Sequence, residues 1–142
     1  MTTLSTSHTA PRTRVIAPLL IAILGVCGMT AIWTMLALIV DRQCAWVAAL
    51  TAADIALLLR LVRAAPGLPR ATIAVVATLA TILLANWVIA ATQIGGAMGL
   101  GLTDSVQRLG TDYAQTLFGL ANQPAELAWY AIALIIALWL GR

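Results

Sequence analysis

The chain has 142 residues, of which 62% are hydrophobic and 9% are charged, and its mean hydropathy is +0.99. In soluble proteins about a quarter of the residues are charged, so this composition excludes a soluble globular domain and predicts an integral membrane protein. At roughly 20 residues per membrane span, the length allows four or five helices and no sizeable domain outside the bilayer.

All eight basic residues are arginines, and they exceed the acidic residues to give a net charge of +3. They lie singly or in pairs beside apolar runs, whereas nucleic-acid binding needs a clustered basic stripe. We therefore expect no nucleic-acid partner. The two cysteines lack a metal-ligand spacing, and the single histidine, His8, lies in a polar tail. We predict no metal, haem or other cofactor.

The first elements are a tail and a long span. Residues 1–14 are rich in Ser and Thr and end in Arg12 and Arg14, which predicts a flexible tail. Residues 15–40 are apolar and long enough to cross the bilayer with tilt. A cleaved signal peptide has an apolar core of only roughly 7 to 15 residues, so we predict a retained first span.

Three further apolar runs predict three further spans. Residues 44–63 follow a turn of three residues, which indicates an antiparallel neighbour of the first span. A basic loop with two prolines and a glycine then leads to a span at residues 71–94. Pro124 and Glu126 form a helix start signal, and the last span is predicted at residues 124–141.

Residues 104–121 have a different pattern from the spans. Apolar residues recur there at intervals of three and four with charged residues between them, as in an amphipathic helix. We expect this helix to lie on the membrane surface or to cover the bundle, and we leave both placements open.

The arginines predict the orientation. One threading places six of them in the cytoplasm, namely Arg12, Arg14, Arg60, Arg63, Arg70 and Arg142. Arg42 and Arg108 then lie outside. Because short cytoplasmic loops are enriched in Arg and Lys, we predict a multi-pass protein with both termini cytoplasmic. The compact loops and the use of arginine alone favour a bacterial inner membrane.

Asp54 is a carboxylate in the middle of the predicted second span, where charge is costly. Thr51 shares its helix face, and Thr78 and Thr81 of the third span lie at the same depth. One hypothesis is that Asp54 binds a proton or cation during transport. The other is that it joins helices through these hydroxyl groups.

Asn86 and Gln93 lie on one face of the third span and complete the candidate intramembrane polar site. They could line a path, although interhelical hydrogen bonding is the commoner use of such residues. Gly25 and Gly28 are predicted helix-packing residues. Gly95 and Gly99 have the GxxxG spacing of close helix contacts, but a hinge in this glycine-rich segment is equally consistent with the sequence.

The expected fold is therefore an all-α integral membrane protein, with four transmembrane helices in a small bundle and one amphipathic helix between the third and fourth spans. No nucleophile with a base and no paired acid and base are present, so we do not expect an enzyme. The leading function is a non-enzymatic accessory or interaction component, whose partners are the lipid bilayer and either a second copy or another membrane protein. The alternative is a small, oligomeric transporter or channel-like protein that uses Asp54.

Overall fold

The computed structural model describes residues 13–97, 99, 101 and 124–142, and this part of the chain contains four α-helices and no strand. They are α1 (Thr13–Val40), α2 (Val47–Leu61), α3 (Leu68–Ala97) and α4 (Pro124–Gly141). The all-helical prediction is confirmed for these residues. Residues 1–12 of the predicted tail and the amphipathic helix predicted at 104–121 lie outside the described residues.

Of the helices in the described part of the chain, three are long and apolar enough to cross a membrane. Their apolar stretches are Ile16–Val40, Leu68–Gln93 and Pro124–Gly141, with 25, 26 and 18 residues. The prediction of a membrane protein with transmembrane helices is confirmed in these terms. α2 has only 15 residues, so the count of four spans stays a prediction.

α2 is shorter than the predicted span at residues 44–63 because turns form at both of its ends. The N–H of Val47 donates to the carbonyl of Cys44 at 3.0 Å, which is a turn of the 3₁₀ type before the helix. At the other end Arg63 has a φ of 53°, and the N–H of Ala64 donates to the carbonyl of Leu59 at 3.0 Å. This Schellman pattern ends the helix.

α1 ends in the same way. Asp41 has a φ of 52°, and the N–H of Arg42 donates to the carbonyl of Ala37 at 3.1 Å. The chain reverses there, so α2 returns beside α1. We call the end of the bundle that contains this connection the Gln43 end, and the opposite end, which contains the α2–α3 connection, the Arg70 end.

α2 and α3 are the central pair, since each packs against the other three helices, while α1 and α4 flank the pair. Alanine dominates the buried surface, as in Ala48, Ala52, Ala74, Ala85 and Ala133. Small side chains let helix backbones approach closely, which is a common way to pack helices in membranes.

At the Arg70 end, two arginines bind the last carbonyl groups of α4. Arg60 Nη2 donates to the Leu140 oxygen at 2.8 Å. Arg70 donates from Nε to the Gly141 oxygen at 2.9 Å and from Nη2 to the Arg142 main-chain oxygen at 2.7 Å. These carbonyls have no donor within their own helix and form the negative end of its dipole. The arginines thus fix α4 to α2 and α3.

Candidate functional site

Four side chains form a polar cluster near the Gln43 end. Trp33 comes from α1, Gln43 from the α1–α2 connection, Asn86 from α3 and Tyr130 from α4. Among them, only Asn86 was predicted as a site residue from the sequence. The cluster therefore brings together parts of the chain that are up to 97 residues apart (130 minus 33).

Asn86 is the centre of the polar cluster and is only 5% exposed. Its Oδ1 accepts a hydrogen bond from Gln43 Nε2, and its Nδ2 donates to the Ile82 oxygen at 2.8 Å. The Tyr130 hydroxyl lies 3.1 Å from Asn86 Nδ2 and 3.3 Å from Asn86 Oδ1. Every polar atom of the Asn86 side chain is thus engaged.

Trp33 closes the cluster from the α1 side. Its Nε1 donates to the main-chain oxygen of Gln43 at 2.9 Å. The rings of Trp33 and Tyr130 have centroids 6.2 Å apart and planes tilted by 55°, which is within the range of favourable aromatic pairs. Amide, indole and phenol groups donate and accept hydrogen bonds, and here they join α1, the α1–α2 connection, α3 and α4.

Comparisons with protein-family models, with curated proteins and with solved structures found no match.

A polar cavity of about 610 Å³ opens at the Gln43 end beside the cluster. Its polar lining consists of Asp41, Arg42, Gln43, Gln93 and Glu126, and its aromatic lining of Trp46 and Trp129. Gln43 belongs to both the cavity and the cluster. Gln93 is exposed and lines the cavity, whereas Asn86 is buried in the cluster, so these two predicted site residues lie in different environments.

The predicted threonines do not bind Asp54. Thr51, Thr78 and Thr81 are all fully buried. Their hydroxyl groups donate to carbonyls four residues earlier in their own helices, at 3.0, 2.8 and 2.9 Å. Such bonds satisfy a buried hydroxyl without a second helix. The structure therefore does not bring the threonine hydroxyls and the carboxylate together.

Asp54 lies at the centre of α2, seven residues from each end, and is half-buried. At 100° per residue it is 60° around the helix from Thr51, at the margin of the buried face. Among the described residues it has no hydrogen-bond or ion-pair partner. Whether Asp54 is functional stays a prediction.

The four predicted packing glycines have different surroundings. A Cβ on Gly25 would lie 3.0 Å from Cδ1 of Leu58, so α1 and α2 are close there. Gly28 is exposed, and a Cβ on it would have no neighbour within 4 Å. Gly95 is buried in α3, whereas Gly99 follows the helix with a φ of +69°. Gly95 and Gly99 therefore do not share one helical face.

The sequence held a depth signal for the cluster residues that were missed. Trp33 lies seven residues before the end of α1 at Val40, and Tyr130 lies six residues after the start of α4 at Pro124. In antiparallel helices these positions have the same depth. Matching polar and aromatic residues by depth would have paired them.

Proposed function

We propose that this protein is a non-enzymatic interaction component of a bacterial inner membrane. The observation that supports it is the use of the interior polar groups: Gln43, Asn86 and Tyr130 bond to one another across helices. The buried threonines of α2 and α3 bond to their own helices. The interior polarity thus stabilises one packed body, and the outward faces of that body are available to partners.

We include α2 as the fourth span of this proposal. α1 and α3 both run from the Arg70 end to the Gln43 end, so the chain between them has to return across the same distance. α2 packs against all three apolar helices while it does so. Its 15 residues cover about 22 Å, and the turn from Cys44 adds to this length.

The arginines support a cytoplasmic Arg70 end. Arg60, Arg63, Arg70 and Arg142 gather there, whereas Arg42 lies at the Gln43 end. This asymmetry follows the positive-inside rule. Reporter fusions after residues 70 and 122 test the threading, with a cytoplasmic signal expected at the first and an external signal at the second. A cytoplasmic signal after residue 122 would contradict it.

The interaction role is tested by purification from the native membrane. The chain carries a tag on its cytoplasmic terminus, and the mass of the purified material is measured in detergent. A stable complex with a second protein is the expected result. A homo-oligomer alone, or a monomer, would contradict the proposal.

A second function, a small oligomeric transporter or channel-like protein that uses Asp54, is favoured by the position of this half-buried carboxylate at the centre of α2, without a hydrogen-bond or ion-pair partner among the described residues. Its test is ion flux into vesicles that contain the purified chain. The second function predicts that Asp54→Asn abolishes flux but preserves assembly. Equal flux in the two proteins would argue against it.

A further inference from the structure

Asp54 is half-buried at the edge of the side of α2 that faces away from the bundle. We propose that this side binds a transmembrane helix of another protein, and that this helix carries a lysine or arginine at mid-bilayer depth. The inference rests on the proposed function and gives the partner a definite chemistry.

The outward side of α2 has the spacing of a helix-packing seam. Leu50, Leu57 and Leu61 are 53%, 57% and 69% exposed. With Asp54 they form a stripe with steps of four, three and four residues, which we call the α2 seam. This is the a/d repeat by which two helices pack side by side, and one polar residue in such a seam fixes the register of the partner.

α1 leaves room for a partner beside the α2 seam. Gly25 of α1 is level with Leu58 of α2, because a Cβ on Gly25 would lie 3.0 Å from Leu58 Cδ1. α1 and α2 are antiparallel, so one turn from this contact toward the Gln43 end reaches Gly28 in α1 and Asp54 in α2. These two residues therefore lie at the same depth. The space around Gly28 is open. A helix on the seam can therefore approach the carboxylate closely.

Asp54 needs a partner from outside the described bundle. A carboxylate near the centre of a bilayer is costly unless it is paired or hydrated. The nearby threonine hydroxyl, that of Thr51, already donates to the carbonyl of Val47 at 3.0 Å. Asp54 itself has no partner among the described residues.

Charge complementarity favours another protein over a second copy. A symmetric contact between two copies would place Asp54 against Asp54, and carboxylates at close range repel each other. The arginines of the described helices lie at the helix ends, and Arg60 and Arg70 bind the end of α4. A basic residue at mid-helix in a different chain neutralises Asp54 directly.

The test uses a defined helix. The purified full chain is labelled with a donor dye and mixed in phosphatidylcholine vesicles with acceptor-labelled leucine–alanine peptides of roughly 22 residues. The peptides differ only in a central Lys, Leu or Glu. We expect energy transfer to show at least about tenfold tighter binding of the Lys peptide than of the Leu peptide, which is one decade of affinity.

Two variants locate the binding surface. Asp54→Asn removes the charge at nearly constant size and should reduce the preference for Lys to about one. Gly28→Leu fills the open space and should weaken binding of the Lys peptide. Gly96→Leu is the matched control, because Gly96 also has nothing within 4 Å of an added Cβ, and it should bind like the wild type.

Equal binding of the Lys and Leu peptides would overturn the inference. So would an undiminished Lys preference in Asp54→Asn, or energy transfer between two copies of the chain that depends on Asp54. If Asp54→Asn loses its helical circular dichroism signal, the two glycine variants decide the outcome. Weaker binding of the Lys peptide by Gly28→Leu than by Gly96→Leu supports the inference, and equal binding overturns it. Lys-selective binding without a native complex would leave the inference standing and contradict the proposed function. A native complex without selective binding of the Lys peptide would support the proposed function and contradict the inference.

Discussion

Removing the Tyr130 hydroxyl, a single oxygen atom and its hydrogen, tests how much the polar cluster contributes to the free energy of unfolding. Tyr130→Phe keeps the ring, so the contact between the Trp33 and Tyr130 rings at 6.2 Å remains. The change deletes the hydroxyl that lies 3.1 Å from Asn86 Nδ2. Because Asn86 also binds Gln43 and Ile82, its amide keeps two partners.

The expected loss follows from this geometry. Both side chains are buried, at 7% and 5% exposure, so water does not replace the lost bond readily. Hydrogen bonds between membrane helices contribute about 0.6 kcal/mol on average and up to about 1.7 kcal/mol. We expect Tyr130→Phe to lower the free energy of unfolding within this range. Asn86→Ala should cost more, about 1 to 3 kcal/mol, because it removes the acceptor of the Gln43 amide and the hydrogen-bond partner of the Tyr130 hydroxyl together.

The assay is reversible unfolding in mixed micelles, followed by tryptophan fluorescence during titration with a denaturing detergent. The wild type, Tyr130→Phe, Asn86→Ala and the double variant form a thermodynamic cycle. We expect a coupling free energy of about 0.5 to 1.5 kcal/mol. Thr92→Val is the matched control, since its hydroxyl donates to Val88 of its own helix at 2.6 Å.

Additive effects of Tyr130→Phe and Asn86→Ala, with a coupling free energy near zero, would refute a stabilising bond between the two side chains. An equal loss of stability in Thr92→Val and Tyr130→Phe would refute it as well. Either result would mean that the bond between α3 and α4 adds nothing beyond what a hydroxyl gains within its own helix.

Three other changes are expected to shift stability in the same assay. Gly141→Ala should lower the free energy of unfolding by about 1 to 3 kcal/mol, because the new Cβ would lie 2.7 Å from Cα of Ala71. Gly28→Ala, where the added Cβ has open space, should be neutral or slightly stabilising. Equal effects of the two changes would contradict this expectation. Arg70→Gln should cost about 1 kcal/mol through the lost bonds to α4, and unchanged stability would show that these bonds contribute nothing. Arg63→Gly should add up to about 1 kcal/mol, since Arg63 has a φ of 53°; a loss of stability would contradict this expectation.

The long apolar helices could be predicted from the sequence because their signals are local. Composition alone defines the apolar run of α1, and Pro124 marks the start of α4 by its fixed backbone angle. The length of α2 could not be predicted in this way. Arg63 takes a left-handed conformation that the sequence does not favour for an arginine, so the helix ends before its apolar run suggests.

The polar contacts could be predicted only in part. Asn86 was recognisable because an amide inside a membrane span needs a partner. Its partners Gln43 and Tyr130 lie 43 and 44 residues away, and only helix packing brings them together. The direction of the threonine hydroxyls was equally hidden, since a hydroxyl can bond to its own helix or to a neighbour with similar energy.

The unequal helix lengths have a consequence for the surrounding lipid. α1 and α3, with 28 and 30 residues, are about 42 and 45 Å long. α2 and α4, with 15 and 18 residues, are about 22 and 27 Å long and pack against each other. If all four cross the bilayer, one side of the bundle matches a thick hydrocarbon layer and the other a thin one, so lipid beside α2 and α4 has to thin. A partner helix with an equally short apolar run would match this thinner hydrocarbon layer, in which headgroups and water come nearer to Asp54.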